Sequence, residues 1–183
     1  ATSVMEGGLR IQQASIDSRT GTEDWVAEHS LDQPSIVFSP TLFLDTRAGY
    51  VAAIVNAEGQ PTQTGTPRMA RLLHRDTGSG ILRFVYSSGF YSGPFANPRV
   101  AADGSVYFQT AGLPSSIQRR SVTGAGIWVR EYPPQNGRLH ATSAGVVATG
   151  SSPLTAYGFA TGVPSWTVSS GSGVGDVSAN GSE

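Results

Sequence analysis

The 183-residue sequence has no cysteine. That excludes disulfides, thiolate-bound metals, iron–sulfur clusters, c-type haem attachment and a cysteine nucleophile. Lysine is also missing, since all 12 basic residues are arginines. A Walker A lysine, a Schiff-base lysine and a Ser-x-x-Lys pair are excluded with it. Charge is sparse, at 14% of residues with a net of −1, so there is no basic footprint for nucleic acid or an anionic membrane. No apolar run approaches the roughly 20 residues that span a bilayer. The start, Ala1-Thr2-Ser3, has no basic and apolar leader organisation; a leader removed before residue 1 would leave the same start.

What is present points to short strands. The chain has 23 glycines, 11 prolines and frequent Val, Ile, Tyr, Phe and Thr, a composition that favours an all-β protein rather than a disordered chain. Its length suits a single domain over residues 1–183, burying roughly 70% of its unfolded surface. Four Thr-Gly pairs are each followed, at one spacing, by a bulky apolar residue: Thr20-Gly21 with Trp25, Thr77-Gly78 with Leu82, Thr123-Gly124 with Trp128, and Thr161-Gly162 with Trp166. All three tryptophans share this register, and such self-similarity marks a repeat architecture.

The pairs are 57, 46 and 38 residues apart, so a unit has about 45 residues and variable loops. Residues 97–131 show the unit best. Strands are expected at 99–102, 105–110, 116–121 and 127–131, with an Asp103-Gly104 hairpin and a turn at 123–126. The second unit has strands at 41–45 and 50–56, and the fourth at 139–142 and 146–150. Residues 66–73 carry a Thr-Pro helix-start signal, yet they fall where other units place a third strand, and strand is the reading adopted. Four short strands per unit predict β-propeller blades, approximately 1–30, 36–86, 97–131 and 138–168, with 174–183 starting or closing a blade. Residues 177–182 repeat the pattern of 100–105, and joining the ends would place Thr20 22 positions after Gly181, against 19 from Gly104 to Thr123. Two expectations stay open: a closed four-bladed ring with one split blade, or a segment of a larger propeller.

The turns containing Thr20-Gly21, Thr123-Gly124 and Thr161-Gly162, each with its tryptophan, resemble the quinoprotein-like (PQQ-like) β-propeller repeat over essentially the whole chain. The resemblance implies that the glycine shapes the turn before the outermost strand. It also implies that Trp25, Leu82, Trp128 and Trp166 dock against neighbouring blades. The alcohol dehydrogenase branch of that family uses a vicinal cysteine pair beside the quinone, and this chain has none. Many members bind no cofactor and serve as extracytoplasmic assembly scaffolds. The resemblance therefore implies a secreted or periplasmic, non-catalytic binding or scaffold module without a cofactor. Its partner would be a protein or a glycan, or the remainder of a larger propeller. The alternatives are a fragment of a quinone- or metal-dependent oxidoreductase, and a glycan-binding module.

Candidate chemistry is thin. His29, His74 and His140 are not at metal-ligand spacing. Glu23-Asp24 is the one adjacent carboxylate pair and reads as a solvated turn rather than a glycosidase pair. The glycine-rich 171–175 precedes no helix and reads as a linker, not a phosphate loop. Asn180-Gly181-Ser182 fits a sequon but reads as a hairpin turn. Of Arg119 and Arg120, one is expected to point inward and to need a carboxylate or carbonyl partner. The loop 87–97 sets Phe90, Tyr91 and Phe95 among small residues, and Tyr132 and His29 occupy the corresponding loops. These five form the predicted partner-binding face; the competing reading has Phe90 and Phe95 plugging the loop onto the sheet.

Overall fold

The computed structural model describes residues 2–5, 10–30, 41–58, 68–88, 93–111, 114–132, 137–149 and 154–169. These residues form fifteen strands in four antiparallel sheets, with no helix among them. Sheet 1 contains β1 (Thr2–Met5), β2 (Arg10–Ile16) and β3 (Glu23–Ser30). Sheet 2 contains β4 (Thr41–Arg47), β5 (Tyr50–Glu58), β6 (Arg68–Asp76) and β7 (Leu82–Ser87). Sheet 3 contains β8 (Phe95–Val100), β9 (Val106–Thr110), β10 (Ser116–Arg120) and β11 (Gly126–Glu131). Sheet 4 contains β12 (Arg138–Ala141), β13 (Gly145–Thr149), β14 (Leu154–Gly158) and β15 (Pro164–Val168). Each sheet pairs its strands in chain order. The helix-like stretch around residue 70 is strand β6, because its backbone pairs with β5 on one side and β7 on the other.

The sheets stand in sequence order, each packed on the next. Ile11 meets Ala53, Val55 and Leu73 between sheets 1 and 2. Ile54, Leu72, Phe95, Val106 and Phe108 fill the second junction, and Tyr107, Ile117, Trp128, Leu139, Val146 and Tyr157 the third. Strands covered on both faces lose the alternating pattern: residues 52–57 of β5 are all buried, as is all of β13.

The last two strands of every sheet share one local device. A bulge interrupts pairing at Ser15/Ile16, His74/Arg75, Arg119/Arg120 and Ala156/Tyr157. Beyond it the turn closes through a glycine at positive φ: Gly21 at 71°, Gly80 at 70°, Gly124 at 88° and Gly162 at 64°. Glycine enters this region without a Cβ penalty. The second turn corrects the repeat phase. Its closing pair is Ser79-Gly80, two residues beyond Thr77-Gly78, because Asp76 caps a turn in which its carbonyl accepts from the Gly80 amide at 3.0 Å. Four residues after the closing glycine stand Trp25, Phe84, Trp128 and Trp166, paired across the strand with Ser15, His74, Arg119 and Ala156. Phe84, not Leu82, therefore holds the tryptophan position. Leu82 packs instead on the Ile11–Val55–Leu73 cluster at the first junction.

The first strands of sheets 2, 3 and 4 converge. The Asp45 carboxylate accepts from the Val100 amide at 2.6 Å, and Arg99 donates to the Leu139 carbonyl at 2.6 Å. Arg47 reaches past sheet 3 to the Ala141 carbonyl at 3.3 Å. No helix among the described residues is long and apolar enough to cross a membrane.

Candidate functional site

A cavity of about 590 Å³ opens at one end of these convergent strands. Phe43 of β4, Ala96 and Asn97 of β8, and Arg138 of β12 bring three sheets to its wall; Gln109, Thr110, Ser116 and Tyr132 contribute from sheet 3. Asn97 organises the polar part. Its φ of 51° is left-handed, a region asparagine tolerates better than most residues. From there its amide donates to Gln109 Oε1 at 2.6 Å and to the Gly137 carbonyl at 2.7 Å. Gln109 Oε1 is thus engaged as acceptor, while Gln109 Nε2 is buried and makes no hydrogen bond. A buried unmatched donor costs about 1–3 kcal/mol. Opposite, the Thr110 and Ser116 hydroxyls share a 2.7 Å hydrogen bond. The lining thus offers amides, hydroxyls, one guanidinium and apolar carbon.

Gly137 shapes the floor by close approach. A Cβ there would lie 1.9 Å from the Thr149 carbonyl oxygen and 2.8 Å from the Tyr132 hydroxyl. The Tyr132 ring is buried in the third junction, and burial raises its phenol above the ordinary range.

The predicted face resolves unevenly. Phe95 is buried, stacked on Tyr86 at 5.5 Å and tilted against Phe108 at 5.1 Å; it plugs the sheet, and Asn56 clamps its backbone at both the amide and the carbonyl. Tyr132 lines the cavity. His29 is half-buried at the first junction, 3.1 Å from the Arg71 guanidinium, away from the cavity. Phe90 and Tyr91 lie outside the described residues, as do the 171–175 linker and Asn180. Asn97, Gln109, Gly137 and Arg138 were not anticipated. Asn97-Pro98 and Asn136-Gly137 carry turn signals, but a glutamine in a strand reads as an outward-facing residue.

The docking residues make one contact repeatedly. The Trp25 ring covers Gly80, Phe84 covers Gly124, and Trp128 covers Gly162; a Cβ on those glycines would fall 2.6, 2.7 and 2.4 Å from ring carbons. Trp25 Nε1 donates to the Thr77 carbonyl at 2.7 Å and Trp128 Nε1 to the Phe159 carbonyl at 3.1 Å. Both arginines of β10 reinforce the junctions. Arg119 is buried, donates to Asp103 Oδ2 at 2.7 Å and to the Phe159 carbonyl, and lies over the Phe159 ring. Despite the upward pull of burial, Ser105 and Arg119 hold the Asp103 carboxyl below its usual range. Arg120 donates to the Gly124 carbonyl at 2.9 Å and covers the Tyr86 ring.

His74 is the other perturbed group. It is sandwiched between Tyr50 and Phe84, each ring centroid 5.1 Å away, and neither ring nitrogen reaches hydrogen-bond geometry. Burial lowers its pKa to about 4, with the Gly104 backbone opposing and Arg83 adding to the drop. Among the described residues, no three His, Asp or Glu side chains gather as a metal-binding group. No protein-family model matches the chain, and no curated protein matches it.

Proposed function

We propose that the four sheets are blades of a β-propeller built from quinoprotein-like repeats, and that the protein is a non-catalytic binding module working outside the cytoplasm. The propeller reading is supported by the aromatic-on-glycine contact repeated at three junctions and by first strands that crowd together, as Arg47 reaching Ala141 requires. The observation that carries the binding role is the cavity where those strands meet. Its wall pairs apolar surface with hydrogen-bonding side chains, among them Asn97, Thr110 and Ser116, a combination suited to recognition. Its ligand is a loop of a partner protein. Tyr132 in the same wall also suits a neutral glycan, the second reading.

A photo-crosslinking residue at exposed Ala111 on the cavity rim, compared with one at exposed Ala102 on the β8–β9 turn, tests this directly. Protein adducts are expected from position 111 in native extract, weakened by Gln109→Leu, and not from 102. Adducts from both positions, or from neither, refute the binding role. Competition by neutral oligosaccharides selects the glycan reading. An absorbance change on adding quinone with Ca²⁺ selects the oxidoreductase alternative.

A further inference from the structure

The first strands of sheets 2, 3 and 4 enclose a second cavity, of about 240 Å³, toward the end away from Asn97. Asp45, Thr46 and Arg47 of β4, Arg99 of β8 and His140 of β12 line it. Two guanidiniums thus meet one carboxylate in a chain in which only 14% of residues are charged. His140 apart, the wall carries one uncompensated positive charge.

The charged groups are held by the fold rather than by each other. Asp45 spends one carboxylate oxygen on the Val100 amide at 2.6 Å, and the other lies 3.7 Å from Arg99 Nη1. Arg99 is anchored on carbonyls, donating from Nε to Leu139 at 2.6 Å and from Nη1 to Pro98 at 3.0 Å. Its Nη2 makes no hydrogen bond among the described residues. Arg47 is exposed and crosses the mouth through a single 3.3 Å bond from Nη1 to the Ala141 carbonyl. It joins no ion pair among the described residues. A two-residue turn fixes where it leaves the sheet: Ala48 and Gly49 are both left-handed, at 54° and 80°, and Arg47 pairs with Tyr50. Asp45, two residues earlier, shares its side of the strand. Guanidinium N–H groups from two sheets are therefore left unspent at one mouth.

We propose that this mouth binds a carboxylate group between Arg47 and Arg99. A guanidinium fork matches the two oxygens of a carboxylate, and one uncompensated positive charge matches a monoanion. A phosphate group carries about −1.5 to −2 at neutral pH and would leave negative charge unmatched beside Asp45. The volume admits a carboxylate on a short aliphatic stem. Its source is a free short-chain acid or an acidic side chain of a partner protein. This inference is independent of what the cavity at Asn97 binds.

Titration with acetate at constant ionic strength, followed by proton–nitrogen NMR of the arginine Nε–H groups and the Val100 and His140 amides, tests it. Saturable shifts with a Kd of about 1–10 mM are expected, and none with acetamide, which has the same shape without the charge. Arg47→Gln, at an exposed position, should weaken binding about 10-fold or more. Asp45→Asn keeps an oxygen for the Val100 amide but removes the competing charge, and should tighten binding about 3-fold or more. Gln109→Leu, in the other cavity, should leave acetate binding unchanged. A peptide with blocked ends and one central glutamate that binds about 10-fold tighter than acetate assigns the site to a partner's side chain; equal or weaker binding assigns it to a free acid. No saturation by about 50 mM acetate overturns the proposal. So do equal shifts with acetamide, or an affinity that neither Arg47→Gln nor Asp45→Asn alters.

Discussion

The turn glycines offer a controlled comparison of backbone strain with packing. Gly21, Gly80, Gly124 and Gly162 all have φ between 64° and 88°, so alanine at any of them carries a similar left-handed penalty of about 1–2 kcal/mol. Only the last three would also drive a Cβ into a ring, at 2.4–2.7 Å, where carbon atoms normally sit at about 3.5–4.0 Å. Each ring must withdraw by about 1 Å, an overpacking cost of about 1–3 kcal/mol. Gly21→Ala should therefore be the mildest of the four, and Gly162→Ala, with the tightest approach, the most severe. The gap of about 2 kcal/mol corresponds to about 6 °C in a domain of this size. Urea and thermal unfolding of the four single variants provide the measurement. Equal losses at Gly21 and Gly162 would refute aromatic docking as the reason for these glycines.

Phe84→Ala should cost about 3 kcal/mol and Leu82→Ala about 1–2 kcal/mol; the opposite order in urea unfolding would overturn the assignment of Phe84 to the tryptophan position. His74 binds its proton more weakly folded, near 4, than unfolded, near 6.5. The unfolded state therefore holds more protons between those values, and stability complete above pH 6.5 is lost as pH falls toward 4, reaching about 2–3 kcal/mol by pH 4.5. His74→Phe, which keeps the three-ring stack, should flatten unfolding curves over that window. Gly137→Ala should cost about 3 kcal/mol or more by overpacking against the Thr149 carbonyl; an alanine variant with unchanged stability and unchanged cross-linking from position 111 would show that the cavity floor is not as tight as described.

Strand positions were legible because the units repeat a physical pattern: a turn that needs positive φ, then an aromatic that needs a surface. The phase was less legible. In the second unit Asp76-Thr77-Gly78-Ser79-Gly80 offers two glycines, and only the hydrogen bond from Gly80 to Asp76 decides which one closes the turn. Once that is settled the irregular Leu82 disappears and Phe84 takes its place in a regular series. The need for an inward arginine partner was likewise readable, and Arg119 found both a carboxylate and a carbonyl.

The cavity was not readable, for a reason tied to how it forms. Asn97, Gln109 and Gly137 belong to three separate segments of chain, and none looks unusual among its sequence neighbours. Their meaning comes from convergence: Asn97 adopts a left-handed backbone and donates its amide hydrogens to Gln109 and to the Gly137 carbonyl, so three segments meet through one side chain. The docking series shows the opposite relation. There the local motif, a positive-φ glycine followed four residues on by an aromatic ring, specifies the contact at each of three junctions.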